Sequence, residues 1–260
     1  MKNFIIAFRV ELLKNKKSRV FWATVFVFTF LPLMIGLMIY VASNPEISQK
    51  LGIVGVKAKM LGQQDWKGYL TLINQSLAGL GLIGFGFVTS WVFGNEHINR
   101  TFKDILAVPI GRLSMVGAKL LLVFVWCIFL AIVLFLVSCT MGFILNLPHW
   151  SNLAFADFVF RFFGATGLTL LLLSPIAWLT GYTRGIIAPL GFVIFTMIIA
   201  NFTGLVGLGP YFPWAIPGLL SSGGQGPEFH LVLSSYILIF ATFLVGFYAT
   251  LKWWRNADHY

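Results

Sequence analysis

The sequence predicts an all-α, polytopic membrane protein with six transmembrane helices, and three observations carry that prediction. Hydrophobic residues make up 58% of the 260-residue chain and charged residues only 10%, against roughly 25% charged in an average soluble domain. The apolar residues gather into six runs, each close to the ~20 residues that a helix needs to cross a hydrocarbon core. The 18 Lys and Arg lie at the ends of these runs, and the run centres are almost bare of charge. Apolar runs extend from end to end and leave no stretch of the roughly 100 residues a separate soluble domain needs, so residues 1–260 read as a single membrane domain.

Residues 3–17, NFIIAFRVELLKNKK, put Phe4, Ile5, Phe8, Leu12 and Leu13 toward one helical side and Arg9, Lys14, Lys16 and Lys17 mostly elsewhere. This predicts an amphipathic N-terminal helix along the inner leaflet, with a basic flank that fixes topology as the simpler reading. The first apolar run, about 20–41, is longer than the 7 to 15 residues of a signal-peptide core and reads as a retained span. The second, about 69–93, carries Gly79, Gly86 and Ser90 at spacings that share one face, which suits close helix packing.

Residues 95–112, NEHINRTFKDILAVPIGR, interrupt this pattern. A loop has no need of Ile105, Leu106, Val108 and Ile110, and a span does not easily hold Arg100, Lys103, Asp104 and Arg112. Thr101 followed by Asp104 resembles a capping box with Asp in place of the usual Glu or Gln, and Pro109 ends the short helix that would follow. Phe102, Ile105 and Leu106 share one side of it. The segment reads as a stiff lever between the second and third spans.

The third span, about 117–145, contains both cysteines. Cys127 and Cys139 lie about 18 Å apart along a helix axis, so they form neither a disulfide within it nor a metal motif. The fourth, about 154–181, holds Asp157 and Arg161 as an i,i+4 ion pair near its start and Pro175 as a kink signal. Gly181-Tyr182-Thr183-Arg184-Gly185 turns it tightly into the fifth, about 186–207. Four prolines and several aromatic residues then fill GPYFPWAIPGLLSSGGQGPEF, a helix-breaking segment suited to headgroup level. Ile216, Leu219 and Leu220 suggest that it dips back into the bilayer, the alternative being a plain outer loop. The sixth span is about 230–251.

With the N-terminus inside, thirteen basic residues fall on the inner side. Lys50, Lys57, Lys59, Lys67 and Arg161 fall on the outer. The positive-inside rule then predicts that both termini are cytoplasmic.

No G-x-x-x-x-G-K-[ST] loop occurs, so any use of ATP must be supplied by another chain. No His, Cys, Asp and Glu cluster has metal-ligand spacing. No acid, base and nucleophile converge at one helix end, which disfavours a lipid-modifying enzyme. Asn74, Gln75 and Asn201, with Tyr211, Phe212 and Trp214 of the outer segment, are candidates for a substrate path or outer gate. For the amides, interhelical hydrogen bonding is the competing use.

The run WVFGNEHINRTFKDILAVPIGRLSMVGAKL resembles the signature of the ABC type-2 exporter permeases. In that pattern a span ends near a glutamate, a T-x-K/R-x-L-L-x-x-P-[IV]-x-R element follows, and A-K-L/F begins the next span. The matching positions are Glu96, Thr101, Lys103, Ile105, Leu106, Pro109, Ile110, Arg112, Ala118 and Lys119. The basic start VELLKNKKSRVFW and the proline-rich YFPWAIPGLL are similar to the family's segments before its first and last helices.

The resemblance implies a permease without catalytic, cofactor or metal residues of its own, working as a homo- or heterodimer in the bacterial cytoplasmic membrane. ATP and Mg would be bound by a cytoplasmic ABC ATPase partner, with membrane lipid as the surroundings and no nucleic acid involved. The 95–112 element would be the coupling helix, with Glu96, Arg100, Thr101, Phe102, Lys103, Asp104, Ile105, Leu106, Pro109 and Arg112 in the coupling role. Glu96 would mark the membrane–cytoplasm junction. The expected cargo is amphiphilic: an antimicrobial peptide, drug or lipid-like molecule. An ion-coupled carrier or channel is the alternative class, and sodium, lipid-linked sugar or haem-related cargo the alternative within the family.

Overall fold

A computed structural model describes residues 2–50, 52, 65–101, 111–223 and 231–256. Among them there is no strand, and six helices are long and apolar enough to cross a membrane: Arg19–Ser43, Trp66–Ile98, Arg112–Ile144, Asn152–Thr183, Ile187–Leu205 and Leu233–Asn256. These are the first to sixth spans. The chain is an all-α multi-pass membrane protein. The spans run a few residues past most of the expected ends because polar caps continue the helices beyond the apolar stretch. Ser18 accepts from Val20 N to start the first span, and Asp65 accepts from Gly68 N at 2.7 Å to start the second. Ser151 does the same for the fourth through Ala154 N.

The N-terminal helix, Lys2–Lys16, packs along the third span. Its packed stripe is Phe4, Ala7, Phe8, Glu11, Leu12 and Asn15, while Ile5, Ile6, Val10 and Leu13 are exposed. The helix forms as expected, but the division of its residues between two sides needs correction. Ile5 and Leu13 do not share the side of Phe4, Phe8 and Leu12, and the packed stripe includes an acid and an amide. The helix has one side for protein and a second apolar side left open, as suits a bilayer interface.

The second and third spans form the centre. Phe85, Val88, Phe93, Val123, Cys127, Leu130 and Leu134 are wholly buried, Phe28 of the first span stacks on Phe85 at 5.6 Å, and the Tyr69 hydroxyl donates to Ser138 O at 2.9 Å. Gly79 and Gly86 meet Met197 and Val193 of the fifth span, so the small-residue face serves packing within the chain. The exposed apolar residues, including Trp22, Phe26, Phe195, Ile198, Phe202 and Val245, amount to a far larger apolar surface than soluble proteins show.

Two helices are irregular. The second span passes through a π-helical segment at Leu77–Gly81. The fourth breaks at Leu172, between Asn152–Leu171 and Leu173–Thr183, because Pro175 has no N–H to offer the carbonyl four residues earlier. The sixth span covers this break closely: a Cβ on Gly246 would lie 2.5 Å from Pro175 N, and the Ser174 hydroxyl donates to Phe243 O at 2.8 Å.

The turn between the fourth and fifth spans is shorter than expected, because the helix runs through Thr183 and ends on Arg184 in the left-handed conformation, φ 53°. Between the fifth and sixth spans, Gly209–Tyr211 forms a 3-10 turn and Ile216–Ser222 a short helix. Gly209, Pro210, Ala215, Ile216, Leu219 and Ser221 are buried. This part packs into the bundle against the second and fourth spans, which satisfies the condition for irregular backbone at membrane depth.

Candidate functional site: a charged junction and a cavity on one helix

The second span ends in a tight C-cap. Arg100 adopts φ 58°, its N–H reaches His97 O at 3.3 Å, and Thr101 N reaches Glu96 O at 3.0 Å. This is the paired-bond geometry of a Schellman motif, with Arg100 where glycine is usual. Arg100 and Thr101 are exposed, and half-buried Arg112 opens the third span. Phe102, Lys103, Asp104, Ile105, Leu106 and Pro109, assigned to coupling from the sequence, lie outside the described residues.

Glu96, one turn before this cap, is wholly buried. Its Oε1 accepts from Lys119 Nζ of the third span at 2.5 Å and from Lys14 Nζ of the N-terminal helix at 2.9 Å. Lys119 Nζ also meets Glu11 Oε1 at 2.9 Å and Val92 O at 3.2 Å, so its three ammonium protons have three acceptors. The rings of Phe93 and Trp254 each lie 6.0 Å from the same nitrogen.

Two carboxylates and two ammonium groups thus form a neutral cluster that ties together the N-terminal helix, the second span and the third span. Burying such ions costs several kcal/mol each by desolvation, which pairing and further hydrogen bonds must offset. The cluster sits in the last turn of the second span and about two turns into the third.

Sequence reasoning placed Glu96 here and missed its partners. Lys119 was visible as a lone cation inside an apolar run and in the A-K-L match. Glu11 was the one acid in a basic helix, on the Ala7–Asn15 stripe.

Toward the opposite end of the second span, a cavity of about 710 Å³ opens between the second span, the fifth span and the short helix. Gln75, Asn201 and Trp214, predicted from sequence, are brought together in its wall. Asn201 Nδ2 is partly committed, donating to Met197 O at 2.8 Å. Tyr211 and Phe212 are not in the wall, and Tyr211 is exposed. Asn74 is 2% exposed and turned away from the cavity into the packed interior. The rest of the wall is small or apolar: Ala78, Gly79, Ala200, Gly204, Gly218, Ser221 and Ser222, with Leu82, Met197 and Leu219. Among the described residues no charged side chain lines it. Of the small residues only Gly79 was singled out in the sequence, and for helix packing; the others gave no signal, because what they supply is space. Among the described residues no cluster of His, Cys, Asp and Glu could hold a metal ion.

Six apolar helices, a cavity between two of them lined among the described residues by uncharged side chains, and a buried charge cluster near the ends of two spans define a multi-pass membrane permease. Residues 7–201 match the model of the ABC-2 family transporter proteins, and the chain belongs to that family. It is similar to the bacitracin transport permease protein BCRB of Bacillus licheniformis, with 27% identity over 182 residues that cover 69% of this chain and 86% of that protein. The chain is the membrane subunit of an ABC transporter, not an enzyme, and its ATPase is a separate cytoplasmic partner.

Proposed function

We propose that this chain is the permease subunit of an exporter that removes an amphiphilic substrate from the bacterial membrane, and that ATP hydrolysis in the partner drives it through residues 95–112. One observation carries the reading: a single helix, Trp66–Ile98, holds both the cavity wall and the charge junction. Gln75, Ala78, Gly79 and Leu82 line the cavity, while Glu96 is locked to Lys119 about 21 to 32 Å away along the axis. Displacing one end of a helix fixed in this way displaces the other, which is how a push at the connection between the second and third spans would reshape the cavity.

The wall's chemistry, apolar and small with a few uncharged polar groups, suits a molecule with an apolar body and a neutral polar part. Similarity to a bacitracin permease points to an antimicrobial peptide as that molecule. In this reading ATP and Mg sit in the cytoplasmic ATPase, and both termini face the cytoplasm, in line with the distribution of Lys and Arg. A second permease copy or paralogue completes the membrane part. The buried charges at the junction pair with one another and do not line this cavity, so an ion-coupled path through it gains no support from them.

The test is a mild-detergent pull-down of the tagged full-length chain, paired with a resistance assay against bacitracin in a susceptible host that also expresses the partner ATPase. A stoichiometric P-loop ATPase, lost when residues 101–108 are deleted although the membrane protein remains, together with raised resistance, is the expected result. Transport that needs an ion gradient and no ATPase would overturn the reading.

A further inference from the structure

We infer that Arg161 is a positioning residue that holds the short helix Ile216–Ser222 as a movable wall of the cavity, with Asp157 as its anchor; the inference rests on reading that cavity as the substrate route. Arg161 lies on the fourth span, outside the cavity. Its Nε donates to Asp157 Oδ2 at 2.6 Å, and its Nη1 reaches across to donate to Leu220 O at 3.3 Å. Leu220 is in the last turn of the short helix, where carbonyls lack helical partners and a cation is favoured by the helix dipole. The chain leaves that turn through Gly223 at φ +85°, and a Cβ there would lie 3.3 Å from Arg161 Nη1. The guanidinium therefore rests against the helix end.

A second attachment lies three residues along the fourth span. A Cβ on Gly164 would come within 2.9 Å of Leu220 Cδ2, so the Leu220 side chain seats in a notch that only glycine leaves open. On its other side the short helix gives Gly218, Leu219, Ser221 and Ser222 to the cavity wall. One face of a seven-residue helix is thus fastened to the fourth span by a charge and a notch, and the other face sets the width of the cavity.

The Asp157 and Arg161 side chains are 55% and 26% exposed, and exposed pairs of this kind are weak and screened. A weak, solvent-accessible fastening can open and close within a transport cycle, unlike the buried junction at the far end of the bundle. Arg161 spans its two partners because the guanidinium is a rigid fork, with Nε toward Asp157 and Nη1 toward Leu220, whereas a lysine at this position offers its donors from a single atom without that fixed spread.

The experiment uses the complete transporter with its ATPase and a Ser221→Cys probe on the cavity wall, labelled with a maleimide. Background from Cys127 and Cys139 is subtracted with the chain lacking the probe. Arg161→Gln is expected to raise the labelling rate about fivefold, with Asp157→Asn giving a smaller rise and Arg161→Lys falling between. An unchanged rate in both Arg161→Gln and Asp157→Asn would overturn the inference, and so would an equal rise at a Ser138→Cys control in the third span, since that reports general loosening. If labelling rises while bacitracin resistance stays at its starting level, the fastening stands and the assignment of this cavity to substrate falls.

Discussion

Lys119 on the third span donates to Glu96 on the second across 2.5 Å, and their side chains are 1% and 0% exposed. With Glu11 and Lys14 alongside, the cluster is neutral as a whole, so the charges left unbalanced and how deeply they are buried together set the effect of a substitution. Lys119→Met leaves two buried carboxylates facing one ammonium group and should destabilise the protein by about 3–5 kcal/mol. Glu96→Gln should act in the same direction. The double variant Glu96→Gln/Lys119→Met restores neutrality and should recover much of the lost stability. Thermal unfolding of the purified complex in detergent measures all three. Additive losses in the double variant would show that the two residues do not act as a pair.

Lys14 gives a graded comparison within the same cluster. It contacts the same Glu96 oxygen, yet its side chain is 33% exposed, so water replaces it when it is removed. Lys14→Ala should cost about 1 kcal/mol or less, well below Lys119→Met. The order of the two midpoint temperatures tests whether burial, rather than contact with Glu96, sets the penalty.

The contact between the fourth and sixth spans predicts a sharp difference between two glycines. A Cβ on Gly246 would meet Pro175 N at 2.5 Å and Ser174 C at 2.7 Å, backbone atoms that cannot swing aside, whereas nothing lies within 4 Å of a Cβ on Gly191. Gly246→Ala should cost about 1–3 kcal/mol through overpacking and lower the yield of folded protein. Gly191→Ala should be neutral or slightly stabilising, because alanine favours the helix. Equal yields in size-exclusion profiles would count against the close approach.

The six spans, the basic N-terminal helix, the Asp157–Arg161 pair and the irregularity near Pro175 were legible in the sequence, because each follows from local chemistry: apolar length, an i,i+4 spacing, a missing N–H. The charge cluster was legible only in part. Glu96 stood out at the end of a span, but that it meets Lys119 and Lys14, with Glu11 on the same Lys119 ammonium, depends on three helices converging, and nothing near Glu11 in the chain announces that. Helical periodicity grouped Ile5 and Leu13 with Phe4, Phe8 and Leu12 on a single apolar side, whereas the third span selects the stripe bearing Glu11, which has a cation to meet. Part of the cavity wall was legible through Gln75 and Asn201, whose polarity is conspicuous in an apolar run, and through Trp214 of the aromatic outer segment. Asn74, equally conspicuous, turned out to be buried in packing.

Gly218 offers the cleanest test of the cavity. It lies in the wall, and nothing stands within 4 Å of the position of a Cβ, so a larger side chain enters open space instead of displacing neighbours. It is also inside a helix, where leucine is more favourable than glycine by about 1 kcal/mol. Gly218→Leu should therefore leave folding and ATPase association intact while narrowing the route, and bacitracin resistance should fall several-fold. Gly191→Leu, at an open position on the fifth span away from the cavity, serves as the control and should retain resistance. Full resistance in Gly218→Leu, with the protein present at normal levels, would mean that cargo does not pass this wall. The coupling role of Glu96 would then have to be judged apart from any claim about where substrate binds.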